Sequence, residues 1–369
     1  MNRLFRWDQM GLFLLALAAG ILPFAVPEVC AAALREGLTL CSGSLLLSLF
    51  PFLVVSRLLI QCPESDLLAL PFRLAACGIG IRTPCAARVL CIGFLGGFAP
   101  AASAAAQAVR TGQLTAEEAD ALLPACICSG PSFVVLTVGQ SLLGSAELGV
   151  LLFASQITAN YLTAALLNRF AGVRSVKPGS AAPASPAPPR LDEILADAAI
   201  TYCKLCGFIL FFRMLSAGAG ALLPAGAGTL CSVLLEVCSG CDLASRTGRW
   251  GSLLCCAALS VQGLSVLLQV RTICPPEMTL RPLYRARMLH LPLSLALFYL
   301  LLPGGEADVF STLPARVLLM RRVPPDCALL VFAVCCMAAC TLRSGIRQVE
   351  QKQMARNAGG CCINSKTLL

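Results

Sequence analysis

The sequence predicts an all-α polytopic membrane protein of about eight to ten membrane segments, in two inverted repeats with broken or re-entrant helices. Three observations predict it. The 369 residues are 57% hydrophobic and only 13% charged, with a mean hydropathy of +0.80, so there is too little polar residue to coat a soluble globule of this length. Apolar stretches of roughly 20 residues, enough to cross a core of about 30 Å, recur along the chain. Short blocks of the first half return in order in the second, beyond a Pro/Ala/Ser-rich interruption.

The first segment, 10–27, reads MGLFLLALAAGILPFAVP behind Arg3 and Arg6. Its apolar part is long and ends on no clear small-x-small site, which predicts a retained helix rather than a cleaved signal; with a connector it makes up 1–37. The first repeat, 38–171, holds segments 38–61, 86–109, 121–143 and 147–168. Residues 172–190, GVRSVKPGSAAPASPAPPR, lack any apolar period and read as a solvated linker. LDEILADAAI has helical spacing and reads as a short interfacial helix, completing a unit 172–198. The second repeat, 199–303, holds segments 199–224, 226–244, 250–273 and 287–303. A membrane helix at 324–342, within 304–342, and a basic polar tail, 343–369, follow.

The repeat rests on ordered matches. FLVVSRLL (52–59) aligns with FILFFRML (208–215), setting Arg57 opposite Arg213. GFLGGFAPAAS (93–103) aligns with EVCSGCDLASR (236–246) about Gly97 and Gly240, and RTG recurs at 110–112 and 246–248. ICSGPSFVVL (127–136) aligns with LSVQGLSVLL (259–268), setting Gly130 opposite Gly263. Arg3 and Arg6 favour a cytoplasmic N-terminus, and Arg169, Arg174, Lys177 and Arg190 a cytoplasmic linker. The two repeats then start from opposite sides, provided one segment between 86 and 168 turns back without crossing. The Gly-Pro break in CICSGPSFVV (126–135) is the natural place. Arg316, Arg321 and Arg322 would lie outside, against the positive-inside bias.

Inverted repeats with broken helices imply a secondary transporter, in which freed backbone groups line a midplane solute site. Ser129 and Gly130, with Pro131, would supply such groups in one half, and Gln262 and Gly263 in the other. A proline kink packed against neighbouring helices is the alternative.

LFPFLVVSRLLI, GFLGGFAPAAS, VRTGQLTAEEADAL, CSGPSFV, LLEVCSG and SVQGLSVLLQV followed by YRARMLH resemble the successive blocks of the YlbJ family of sporulation integral membrane proteins. The resemblance runs from about 38 to 303. It implies nucleoside-recognition, or Gate, domains and a role in endospore formation, carrying dipicolinic acid across the mother-cell-derived outer forespore membrane. GGFAP stands where a more polar Gly-Tyr-Pro type block is expected, and cysteine is unusually abundant. A nucleoside-like solute, or a non-transporting scaffold with a sporulation membrane partner, remains an alternative; a homo-oligomer is compatible with each.

Dipicolinate is a planar dianion and asks for cations or helix N-termini on a wet cavity. Arg213, in mid-segment, should face a cavity or a partner, and Arg57 either joins it or snorkels to the nearby polar QCPESD. If both face inward, each guanidinium can take one carboxylate. Glu236 either pairs with Arg213, carries a coupling proton, or serves helix packing. Gln262 and Gln269 can bond a solute or a neighbouring helix, and Lys204 reads as a snorkelling residue.

Other classes fit poorly. No cofactor or metal is expected: most of the 22 cysteines lie in apolar segments, as in CKLC (203–206) and CSGC (238–241), and His290 is the only histidine. Cys361 and Cys362, in the tail, are open to lipidation or oxidation. There is no GxxxxGK[ST] loop and no G-x-S-x-G elbow, so no enzyme is expected. Thr115 and Glu118 form a capping box, which explains the acidic cluster without catalysis. The net charge of +9 is dispersed without aromatics, as for contact with membrane lipid and not with nucleic acid.

Overall fold

The computed structural model describes residues 2–62, 64–171 and 191–302. Every regular element among them is a helix. The first part comprises α1 (Asn2–Ala25), α2 (Pro27–Ser42), α3 (Ser44–Gln61), the short α4 (Ser65–Leu68) and α5 (Leu70–Gly78), α6 (Pro84–Gly96), α7 (Phe98–Arg110), α8 (Ala116–Cys126), a π-helix (Ser132–Leu142) and α9 (Ala146–Ala171). The second comprises α10 (Leu191–Leu222), α11 (Ala225–Leu235), α12 (Val237–Ser245), a 3₁₀ turn (Gly248–Trp250), α13 (Gly251–Val261), α14 (Gly263–Ile273) and α15 (Arg281–Leu301).

The architecture is all-α, with the spans of an integral membrane protein. Helix α9, helix α10 and the run Gly248–Ile273 are each long and apolar enough to cross a bilayer, and α1 with α2, bent by 110°, makes a fourth, broken candidate. These stand against the eight to ten segments expected. Much of the difference lies in half-helices: α6, α7, α8, α11 and α12 have 13, 13, 11, 11 and 9 residues. At 1.5 Å per residue such pieces reach roughly 14 to 20 Å, too short to cross alone. Large apolar side chains point outward on several helices, among them Leu74, Phe170, Met288 and Leu300.

Three expected boundaries move. The division at 37/38 falls inside α2, which starts on Pro27 at its first turn and ends at Gly43, so the expected 38–61 segment is two helices. The expected interfacial helix before 199 and the span after it are one 32-residue helix, α10, because no proline interrupts 191–222. The turning-back assigned to 126–135 occurs instead within 86–109. Helices α6 and α7 pack against each other across Gly97, bringing residues 93 and 101 together. Likewise α11 and α12 pack across Glu236, where Gly240 lies against Val233. The linker 172–190, the helix at 324–342, the arginines at 316, 321 and 322 and the tail with Cys361 and Cys362 lie outside the described residues.

The order of broken elements recurs. A long helix (α3, α10), a folded-back pair (α6–α7, α11–α12), an interrupted helix (α8 with the π-helix, α13–α14) and a second long helix (α9, α15) appear twice, with α4 and α5 extra in the first half. Helix α7 sits at the centre against α3, α6, α8 and α14. Its buried residues are all small apart from Pro100: Ser103 and the alanines at 99, 101, 102, 104, 105, 106 and 108, so neighbouring backbones approach closely on every side.

Long helices of the two halves meet in opposite directions. Late in α3, Arg57 bonds Asp197, early in α10, whereas Phe50, earlier in α3, packs its ring on Tyr202, later in α10. On the other side Gln156 of α9 meets His290 of α15, while Asn160 and Arg287 share one acceptor.

Candidate functional site

Each half brings the tip of its folded-back pair onto the interruption of its next helix. In the first half α8 ends at Cys126 and the chain runs through Ile127, Cys128, Ser129, Gly130 and Pro131 before the π-helix; Ile127 is extended, and Pro131 cannot donate to the turn before it. Gly97, at the tip, has φ +81°, and a Cβ there would lie 2.7 Å from the Gly130 nitrogen. Only glycine fits that conformation and that approach. In the second half the interruption is a single left-handed residue, Gln262 at φ 63°, followed by Gly263 at φ 69°. A Cβ on Gly263 would lie 2.9 Å from the Glu236 nitrogen. In the first half the close approach is between Gly97 and Gly130, and in the second between Glu236 and Gly263, whereas Gly240, expected to match Gly97, packs against Val233.

A cavity of about 80 Å³ lies at this crossing, lined by Phe52 and Phe98, by Ser129 and Gly130 of the first interruption, and by Glu236 and Gln269 of the second half. Three helices begin on its wall, at Phe98, Ser132 and Val237. The carboxylate of Glu236, 3% exposed, accepts from the amides of Cys238 (2.9 Å) and Ser239 (2.6 Å), capping α12. The starts of α7 and of the π-helix, both on the cavity wall, have no side-chain cap. Gln269 donates to Ser265 within its own helix.

The structure brings together some of the expected residues and separates others. Ser129, Gly130 and Glu236 share the cavity. Gln262 and Gly263 stand behind it, Gln262 donating to the Ile127 carbonyl at 3.4 Å. Arg213 pairs with Glu36 at 2.7 Å and not with Glu236, whose oxygens are taken by α12. Arg57 donates to Asp197 (2.6 Å), Thr201 (3.2 Å) and Ser103 (3.3 Å). Thr201 lies twelve residues before Arg213 on α10, roughly 18 Å along the axis, so the two guanidinium groups do not grip one small dianion together.

A polar cluster missed in the sequence supports the first interruption. The Ile127 carbonyl accepts from Arg287 (2.6 Å), Asn160 (3.2 Å) and Gln262, and Arg287 also reaches the Ser260 carbonyl at 3.3 Å. Gln156 donates to Ser260 (3.0 Å) and to the Cys256 carbonyl (3.2 Å), Ser260 meets Ser294, and His290 bonds the Gln156 carbonyl. The signal was Arg287 and His290 three apart on one helix, with polar residues 156 and 160 four apart on another, each a buried face.

The cysteines among the described residues are free thiols, and no group there assembles three metal-ligating side chains. No family model, no curated protein and no solved structure matches this chain.

Proposed function

We propose that the chain is a membrane carrier of a small organic anion that works by alternating access between two inverted halves. The observation that carries the reading is one cavity between the halves, walled by the first interruption at Ser129 and Gly130 and by both hairpin tips, at Phe98 and Glu236. Inversion is supported by the pairing of α3 with α10 and of α9 with α15, whose contacts run in opposite chain directions. Uncapped helix starts at Phe98 and Ser132 suit a carboxylate group. Dipicolinate, in the outer forespore membrane during endospore formation, is the substrate implied by the resemblance to the YlbJ family. A second reading, a nucleoside-like solute, is favoured by the ring-lined wall of Phe52 and Phe98 beside Gln269.

Uptake of labelled dipicolinate into liposomes bearing the purified chain tests this, with labelled uridine and protein-free vesicles alongside. Saturable dipicolinate uptake is expected. Uridine uptake instead would move the assignment to the second reading, and no flux of either through folded protein would leave a scaffold.

A further inference from the structure

A second cavity, of about 130 Å³, surrounds Arg57. It is lined by three cations, Arg57, Arg110 and Lys204, against one carboxylate, Asp197, so its lining is net positive. Thr201 and Thr272 add hydroxyls. Arg57 itself is 7% exposed, held from behind by Ser103, while Asp197, its partner, has a side chain 59% exposed. A buried guanidinium is thus closed by a carboxylate that is itself more than half exposed.

The same four helices line both cavities. Phe52, Phe98, Ile209 and Gln269 face the central one, and Arg57, Ser103, Lys204 and Thr272 the second. Along α3, α7 and α10 these pairs lie five residues apart, about 7.5 Å. Between them Leu53, Ala99 and Leu205, all fully buried, form an apolar layer with Phe98 and Ile273.

We propose that the cavity at Arg57 is a second binding site, for carboxylate-bearing organic anions, in which Asp197 occupies the position the ligand's carboxylate takes when bound. It rests on the carrier reading only for its place as an antechamber to the central cavity; binding itself does not depend on transport. Arg57 offers a planar fork with five donors, which suits a carboxylate in bidentate contact. Arg110 and Lys204 draw the anion in, and Asp197 returns to Arg57 when it leaves.

Isothermal titration of the purified full chain in lipid-free detergent with pyridine-2,6-dicarboxylate, and separately with inorganic phosphate, tests the site. Arg57→Gln should weaken binding at least about tenfold, the loss of one charged hydrogen bond pair. Asp197→Asn removes the competing carboxylate and should tighten it several-fold. Arg110→Gln, at an exposed position, should weaken it a few-fold with unaltered elution. No binding of either probe by the native chain and by Asp197→Asn would overturn the site, as would weaker binding in Asp197→Asn. So would affinity only for vesicles of anionic phospholipid. Normal binding with no liposome uptake would keep this site and sink the carrier; uptake with titrations indifferent to Arg57→Gln would do the reverse.

Discussion

The first half turns its hairpin on a glycine and opens its next helix over five residues, whereas the second turns on a carboxylate and opens its helix at one left-handed glutamine. Both reach the same close approach of tip to interruption. The difference lies in who satisfies the backbone at the second tip and at the first interruption. In the second half Glu236 caps the helix it begins, a local solution. In the first half the Ile127 carbonyl depends on Asn160, Gln262 and Arg287, reached from far along the chain. The first interruption is therefore a tertiary construction.

The sharpest way to break the comparison is at the tips. Gly97→Val combines a left-handed backbone with a Cβ 2.7 Å from the Gly130 nitrogen, which cannot give way as a flexible side chain would. We expect a loss of about 3–5 kcal/mol, from strain and overpacking together, seen as a large fall in melting temperature in detergent. Gly263→Val meets Glu236 and Leu235 backbone at 2.9 Å and should lose nearly as much. A Gly97→Val protein that melts normally would show that tip and interruption do not touch.

Next comes the borrowed support. Arg287→Met removes the donor to both Ile127 and Ser260, and should cost about 2–3 kcal/mol in the same melting assay. Glu236→Ala, removing a local cap, should cost about 1–2 kcal/mol. If the order is reversed, the local cap at the second tip outweighs the support that Arg287 gives to both interruptions. Glu236→Gln keeps one acceptor and should fall between Ala and native; lost uptake with near-native melting would give the carboxylate a role beyond capping.

The halves differ in legibility for the same reason. Gly130, Pro131 and Gly263 announce their breaks through backbone chemistry, which short sequence carries. The capping box at Thr115 was also legible, since its two residues are three apart and their partners are each other. Glu236 as a tip was not: an extended residue between two apolar helices has no local signature, so the small residues of CSGC took the alignment. Arg57 and Arg213 matched in sequence but are separated in space, Arg57 bonding Asp197 and Arg213 bonding Glu36, because the pairing partners lie far away along the chain. The Ile127 cluster gathers residues 127, 160, 262 and 287, and only the fold brings them together.

The smallest effect sharpens the comparison at the turns between broken helices. In the first half Thr115 and Glu118 exchange bonds, the Thr115 hydroxyl accepting from the Glu118 amide at 3.1 Å and the Glu118 carboxylate from the Thr115 amide at 3.1 Å. Glu118 also accepts from the Thr83 hydroxyl at 2.7 Å, at the start of α6, so one carboxylate ties the beginning of the hairpin to the helix that follows it. The second half passes the same corner on Gly248 at φ 66° and a 3₁₀ turn without a side-chain cap. Thr115→Ala should therefore cost about 1 kcal/mol, an ordinary cap. Glu118→Ala should cost about twice that, because it also strands the Thr83 hydroxyl. Equal melting shifts for the two variants would mean that the tie to Thr83 adds nothing, and that both corners hold by local turn geometry alone.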